Sequence, residues 1–205
     1  AAYARLLVDV ANAMQQVEGV QLMNGALDLY APDTGDEPFP DSEVSHISAV
    51  RFMEEMVAAQ PFVFDVVDVW NSHSYPIGFS APPSTVSYGF DTLNDAEPII
   101  EEDVPAEYQN RGVNGYEWEL WKLRSLGFDL PPVIITEFGW RHSAGSPDSA
   151  DAGEGYPTPQ TAARYLDAAM QGHPSPNYTP LLAVDRVIGV VVFTLNGAPS
   201  EWSHS

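Results

Sequence analysis

Glu137 stands where an apolar run stops. The stretch Pro131-Pro132-Val133-Ile134-Ile135-Thr136-Glu137-Phe138-Gly139-Trp140-Arg141 opens with two prolines, continues through three β-branched residues and then presents a carboxylate. An uninterrupted Val/Ile run bounded by Pro and Gly reads as a short strand buried on both faces, as in a parallel sheet. Glu137 then sits at the carboxyl end of that strand, where α/β folds place their chemistry. The plainer alternative is a strand-end acid that caps a helix or pairs with Arg141.

Two other apolar runs end in the same manner. Phe62 to Trp70 leads into Asn71-Ser72-His73-Ser74-Tyr75-Pro76, and Val187 to Leu195 leads into Asn196-Gly197, with Trp202 a few residues on. Taken singly, each has a dull explanation: His73 and Tyr75 as a hydrogen-bonded loop pair, Trp140 as rim packing. Brought to one end of one sheet, Asn71, His73, Tyr75, Glu137, Trp140, Asn196 and Trp202 describe a cleft with a carboxylate floor and aromatic walls. Such a cleft suits a sugar, whose C–H-rich face stacks on aromatic rings while its hydroxyls take polar partners.

The elements that must position these residues follow from periodicity. Apolar residues at three- and four-residue spacing predict helices over residues 3–18, 45–59, 116–126 and 160–171, with Gly19 and Gly127 as stops. Between them lie four apolar runs read as strands: Val20 to Leu29, Phe62 to Trp70, Val133 to Thr136 and Val187 to Leu195. Helices alternating with strands argue for an α/β fold with parallel strands and right-handed crossovers. The long connections, residues 77–114 and 143–159, both follow strands, so the loops gather on one face as in a barrel-type active face.

Composition narrows the partners. At 205 residues and 44% hydrophobic content the chain suits one domain with a sizeable core. Its 29 acidic and 8 basic residues give a formal net charge of −21, which repels phosphate backbones and anionic lipid; nucleic acid and membrane are poor partners, a neutral sugar is not. No apolar run approaches the roughly 20 residues of a membrane helix. With no cysteine there is neither thiolate catalysis nor a Cys-ligated metal. A metalloenzyme built on His73, His142 and acids would lack any close His-x-x-x-His spacing, so no metal and no cofactor are expected.

Thr136-Glu137-Phe138-Gly139-Trp140 after a Val/Ile strand resembles the seventh-strand nucleophile motif of clan A retaining glycoside hydrolases, and Asp68 to Pro76, with His73-Ser74-Tyr75, is similar to their sixth strand. Residues 116–126 resemble the helix before the nucleophile strand, and the last strand followed by Trp202 looks like the eighth. The Thr-Glu-x-Gly-Trp element is fairly specific; His-x-Tyr alone is weak. The resemblance implies that residues 1–205 are the C-terminal portion of a single (β/α)8 TIM-barrel domain, from the fourth helix to just past the eighth strand. It implies Glu137 as nucleophile, Tyr75 orienting it with His73 alongside, and Asn71, Trp140, Asn196 and Trp202 lining the sugar subsites. It also implies a secreted protein.

The chain departs from that pattern in one respect. Retaining hydrolysis needs a second carboxyl group about 5–5.5 Å from the first, and in this clan it belongs to an Asn-Glu pair ending the fourth strand. No Asn-Glu pair occurs here. Asp28 is the nearest local substitute; Asp65 and Asp68 read as structural. Four strands cannot close an eight-stranded barrel. The expected partners are therefore a carbohydrate and a further half-barrel or another chain, and these residues alone are expected to be inactive. The competing reading is a non-catalytic protein, carbohydrate-binding or structural, on a half-barrel scaffold.

Overall fold

The computed structural model describes residues 2–29, 47–75, 113–140, 159–172 and 179–193. Within them lie α1 (Ala2–Met14), α2 (Ala49–Ala59), β1 (Trp70–His73), α3 (Gly115–Ser125), β2 (Val133–Phe138), α4 (Pro159–Gln171), one 3-10 turn (Leu181–Ala183) and β3 (Val187–Val192). The three strands are parallel and lie side by side in chain order. The architecture is α/β with helices between parallel strands, as the alternation of periods requires.

Two of the four expected strands come out differently. The segment from Val20 to Leu29 makes a single parallel bridge, Met23 to Val69, in place of a full strand. Asn24 is the cause. Its Oδ1 accepts the Asn71 N–H at 2.7 Å and its Nδ2 donates to the Asn71 carbonyl at 3.1 Å, so a side-chain amide does the work of the main-chain ladder. The run from Phe62 to Val66 is a series of turns, with the N–H groups of Val63, Asp65 and Val67 each bonded three residues back. Those turns bury Val63, Phe64 and Val67 while leaving Phe62 74% exposed, an arrangement a strand's strict alternation would not give. Only Trp70–His73 is extended.

α3 and α4 sit within a residue of their expected bounds, whereas α1 ends at Met14, short of the expected stop at Gly19, and α2 begins at Ala49, four residues after its expected start. Gly127 (φ +93°) ends α3: its N–H bonds the Arg124 carbonyl and the Phe128 N–H bonds the Leu123 carbonyl, the doubly bonded stop that a left-handed residue permits. A continuous core joins α1, α2, α3 and α4 to the sheet through Leu7, Met53, Met56, Trp70, Leu123, Ile135, Phe138, Tyr165 and Ala169. Lys122 of α3 reaches across to Glu54 of α2 at 2.7 Å, with the lysine buried and the glutamate half exposed.

Candidate functional site

The site is built by two adjacent strand ends. In the β1–β2 ladder Trp70, Asn71 and Ser72 pair with Val133, Ile134 and Ile135, and then His73 pairs with Glu137, skipping Thr136. This bulge has a consequence for the side chains. Asn71, His73 and Tyr75 alternate along one face of the chain, and both Thr136 and Glu137 reach that same face. Thr136 Oγ1 donates to Asn71 Oδ1 at 2.5 Å, and Glu137 Oε2 accepts from the Tyr75 hydroxyl at 2.8 Å. A bulge next to a site re-aims one side chain in this way.

Gly139 lets the chain leave the sheet immediately afterwards. Its φ of +149° disfavours any side chain, and a Cβ there would stand 3.0 Å from the Phe193 carbonyl oxygen. The Phe193 N–H in turn bonds the Phe138 carbonyl at 2.9 Å, so β3 grips β2 at the level of Glu137.

Around Glu137 the electrostatics are asymmetric. His73 Nδ1 lies 3.4 Å from the same Oε2 that Tyr75 engages, and the His73 and Glu137 side chains are 31% and 30% exposed. Burial lowers the His73 pKa from its ordinary 6.5, against an opposing pull from the charges of Glu137 and then Asp28. His73 is therefore neutral at pH 7, with Nδ1 beside Oε2. Burial, then the hydrogen bond to Glu137, raises the Tyr75 pKa, so the phenol stays a donor. Among the described residues the Tyr75 hydroxyl bonds Oε2 and His73 Nδ1 stands beside it, while Oε1 takes no hydrogen bond. A half-exposed carboxylate with one oxygen pinned and the other presented is arranged for nucleophilic attack or for recognition of a hydroxyl.

Of the residues singled out from sequence, Glu137, His73 and Tyr75 come together. Asn71 adjoins them, but its Oδ1 is taken by Thr136 and its Nδ2 donates to the Asn24 carbonyl at 3.3 Å, so it ties strands together instead of offering a free amide. Trp140 is 8% exposed and packs edge-on against Phe138 and Tyr165, with centroids 5.4 and 5.6 Å apart, which leaves little of its ring for a ligand. Asp28 is exposed on the loop after the Met23 bridge and acts on His73 through its charge. Asp68, expected to be structural, accepts the Leu22 N–H at 2.8 Å. Asn196, Trp202, Arg141 and His142 lie outside the described residues, as do most of the two long loops.

Sequence reasoning missed Asn24, Thr136 and Glu119. Glu119 had a visible signal: it falls in the buried stripe of α3, three residues after Tyr116 and four before Leu123. Among the described residues no group of three or more His, Asp or Glu is gathered as metal ligands, and no helix is long and apolar enough to cross a membrane. Comparison with protein-family models, curated proteins and solved structures gives no match to this chain.

Proposed function

We propose that this chain carries the nucleophile side of a retaining glycoside hydrolase site. The observation that supports this most is the pinning of Glu137 Oε2 by the Tyr75 hydroxyl at 2.8 Å, with His73 at 3.4 Å, on the carboxyl ends of adjacent parallel strands. In this reading the free Glu137 oxygen attacks the anomeric carbon, and the bond from that carbon to the leaving oxygen breaks. The leaving oxygen takes a proton from an acid, and water later releases the sugar from the glycosyl-enzyme. Tyr75 and His73 hold the carboxylate in line.

The finer fold reading is a partial (β/α)8 barrel. Strands ordered as in the chain, with the Met23 bridge as a fourth member outside β1, are what half of such a barrel would present. Ile188, Val191 and Phe193 along β3, and Val20 and Met23 on the opposite side, are exposed apolar residues of the kind that another chain or a further half-barrel would cover. That missing part would supply the acid; Asp28, close enough to act on His73, is the local candidate. Secretion fits an enzyme of polymeric sugars.

The second reading, a non-catalytic sugar-binding or structural scaffold, draws on the same geometry, because among the described residues no second carboxylate is in contact with Glu137. A panel of 2,4-dinitrophenyl 2-deoxy-2-fluoroglycosides separates the two. The activated leaving group departs without a proton, so trapping needs only the nucleophile. One glycosyl adduct per wild-type chain by intact mass, and none on Glu137→Gln, is the expected result. Absence of adduct across the panel, with sugar binding seen by NMR, would leave the scaffold reading.

A further inference from the structure

Glu119 is the buried ionisable group that the candidate site does not use. It is 0% exposed on α3, against the back of β1. Trp70, Ser72 and Ser74 lie on that back face, alternating with the Asn71, His73 and Tyr75 of the front, and all three are buried. The Ser72 and Ser74 hydroxyls are 2.9 Å apart, and the Tyr116 N–H, in the first turn of α3, donates to Ser74 Oγ at 3.2 Å. Neither Glu119 oxygen meets a donor at hydrogen-bonding geometry among the described residues, and Trp70 Nε1 is likewise unpaired.

Among the described residues no charge compensates it. From β1 the Ser72 hydroxyl and the Trp70 indole lie near it, short of hydrogen-bonding geometry; they favour its ionised form but are outweighed by burial. On its own helix Lys122 is committed to Glu54 of α2 at 2.7 Å, and Glu117 is bonded by the Tyr116 hydroxyl at 3.2 Å. Glu119 is therefore an acid enclosed with a hydroxyl pair and an indole directly behind the strand end that carries the site.

We propose that Glu119 is a positioning residue: a buried carboxyl group on α3 that, packed behind the Ser72–Ser74 pair, holds the end of β1 from which His73 and Tyr75 reach Glu137. This rests on the reading of Glu137, His73 and Tyr75 as the site, but not on its chemistry. Burial pushes the Glu119 pKa up to about 8 from an ordinary 4.5, so the folded chain keeps a proton that the unfolded chain loses. Its contribution is fully present below pH 4.5 and is lost progressively as pH rises to about 8. Above that pH two charged oxygens face a space with no counter-charge, and the strand behind the site must rearrange or admit water.

The test is an NMR titration of the His73 ring in the full chain, as wild type, Glu119→Gln and Glu119→Ala, with a thermal melt of each. Wild type should show a second inflection of the His73 resonance near pH 8 beside its own titration. Glu119→Gln keeps the shape without the titrating proton, so it should lose that inflection and keep the His73 midpoint. Glu119→Ala should move the midpoint by about half a pH unit or more. A wild-type inflection that persists in Glu119→Gln, or no wild-type inflection together with an unmoved midpoint in Glu119→Ala, would overturn the proposal. If Glu119→Ala does not fold, the absence of a wild-type inflection overturns the proposal by itself. The readout is a ring resonance and not turnover, so a failed labelling experiment leaves it intact.

Discussion

His73 connects the groups whose charges matter most. Its pKa is lowered by burial and raised by Glu137 and Asp28 in that order, so removing either carboxylate should lower it further. Asp28→Asn should shift the His73 NMR midpoint downward, and Glu137→Gln should shift it more. A rise in either variant would contradict the electrostatic picture. The stability sign follows from the same shift: a histidine whose folded pKa lies below 6.5 contributes stability above that pH and loses it as pH falls through the folded value. Glu137, His73 and Tyr75 were legible because a strand-end carboxylate and a polar strand end are visible in one dimension. The ties of Asn71 to Asn24 and Thr136 were not legible, because a pairing across 47 residues with Asn24 leaves no trace in local pattern.

At the scale of elements, the bulge and the Asn24–Asn71 exchange set the site's geometry. Asn24 is buried and its side chain makes three hydrogen bonds, to the Asn71 N–H, the Asn71 carbonyl and the Gly25 carbonyl. Asn24→Ala leaves buried main-chain groups of β1 unpaired, at a cost of about 2–3 kcal/mol. Denaturant unfolding should report that loss with an unchanged slope; a change below about 0.5 kcal/mol would show that water replaces the amide without penalty. Helix positions were readable from period alone, since α2, α3 and α4 carry apolar stripes with caps or stops. The turns from residues 61 to 66 were not, because an apolar run has the same composition whether it is extended or folded back on itself.

For the molecule as a whole, 29 acidic against 8 basic residues make self-repulsion a standing cost of compactness. Raising sodium chloride from about 10 mM to about 300 mM shortens the Debye length from about 30 Å to well under 10 Å and should raise the melting temperature by several degrees. A flat or falling melting temperature would mean that the acidic groups are already paired or well separated. The α/β class was legible from alternation. The central claim is that Glu137 is the attacking group, and peptide mapping of the glycosylated chain tests it most directly. Tryptic cleavage after Arg124 and Arg141 releases residues 125–141, in which Asp129 and Glu137 are the only carboxylates. The account predicts the adduct on that fragment, at Glu137. An adduct on Asp28 or elsewhere, with residues 125–141 unmodified, would contradict it.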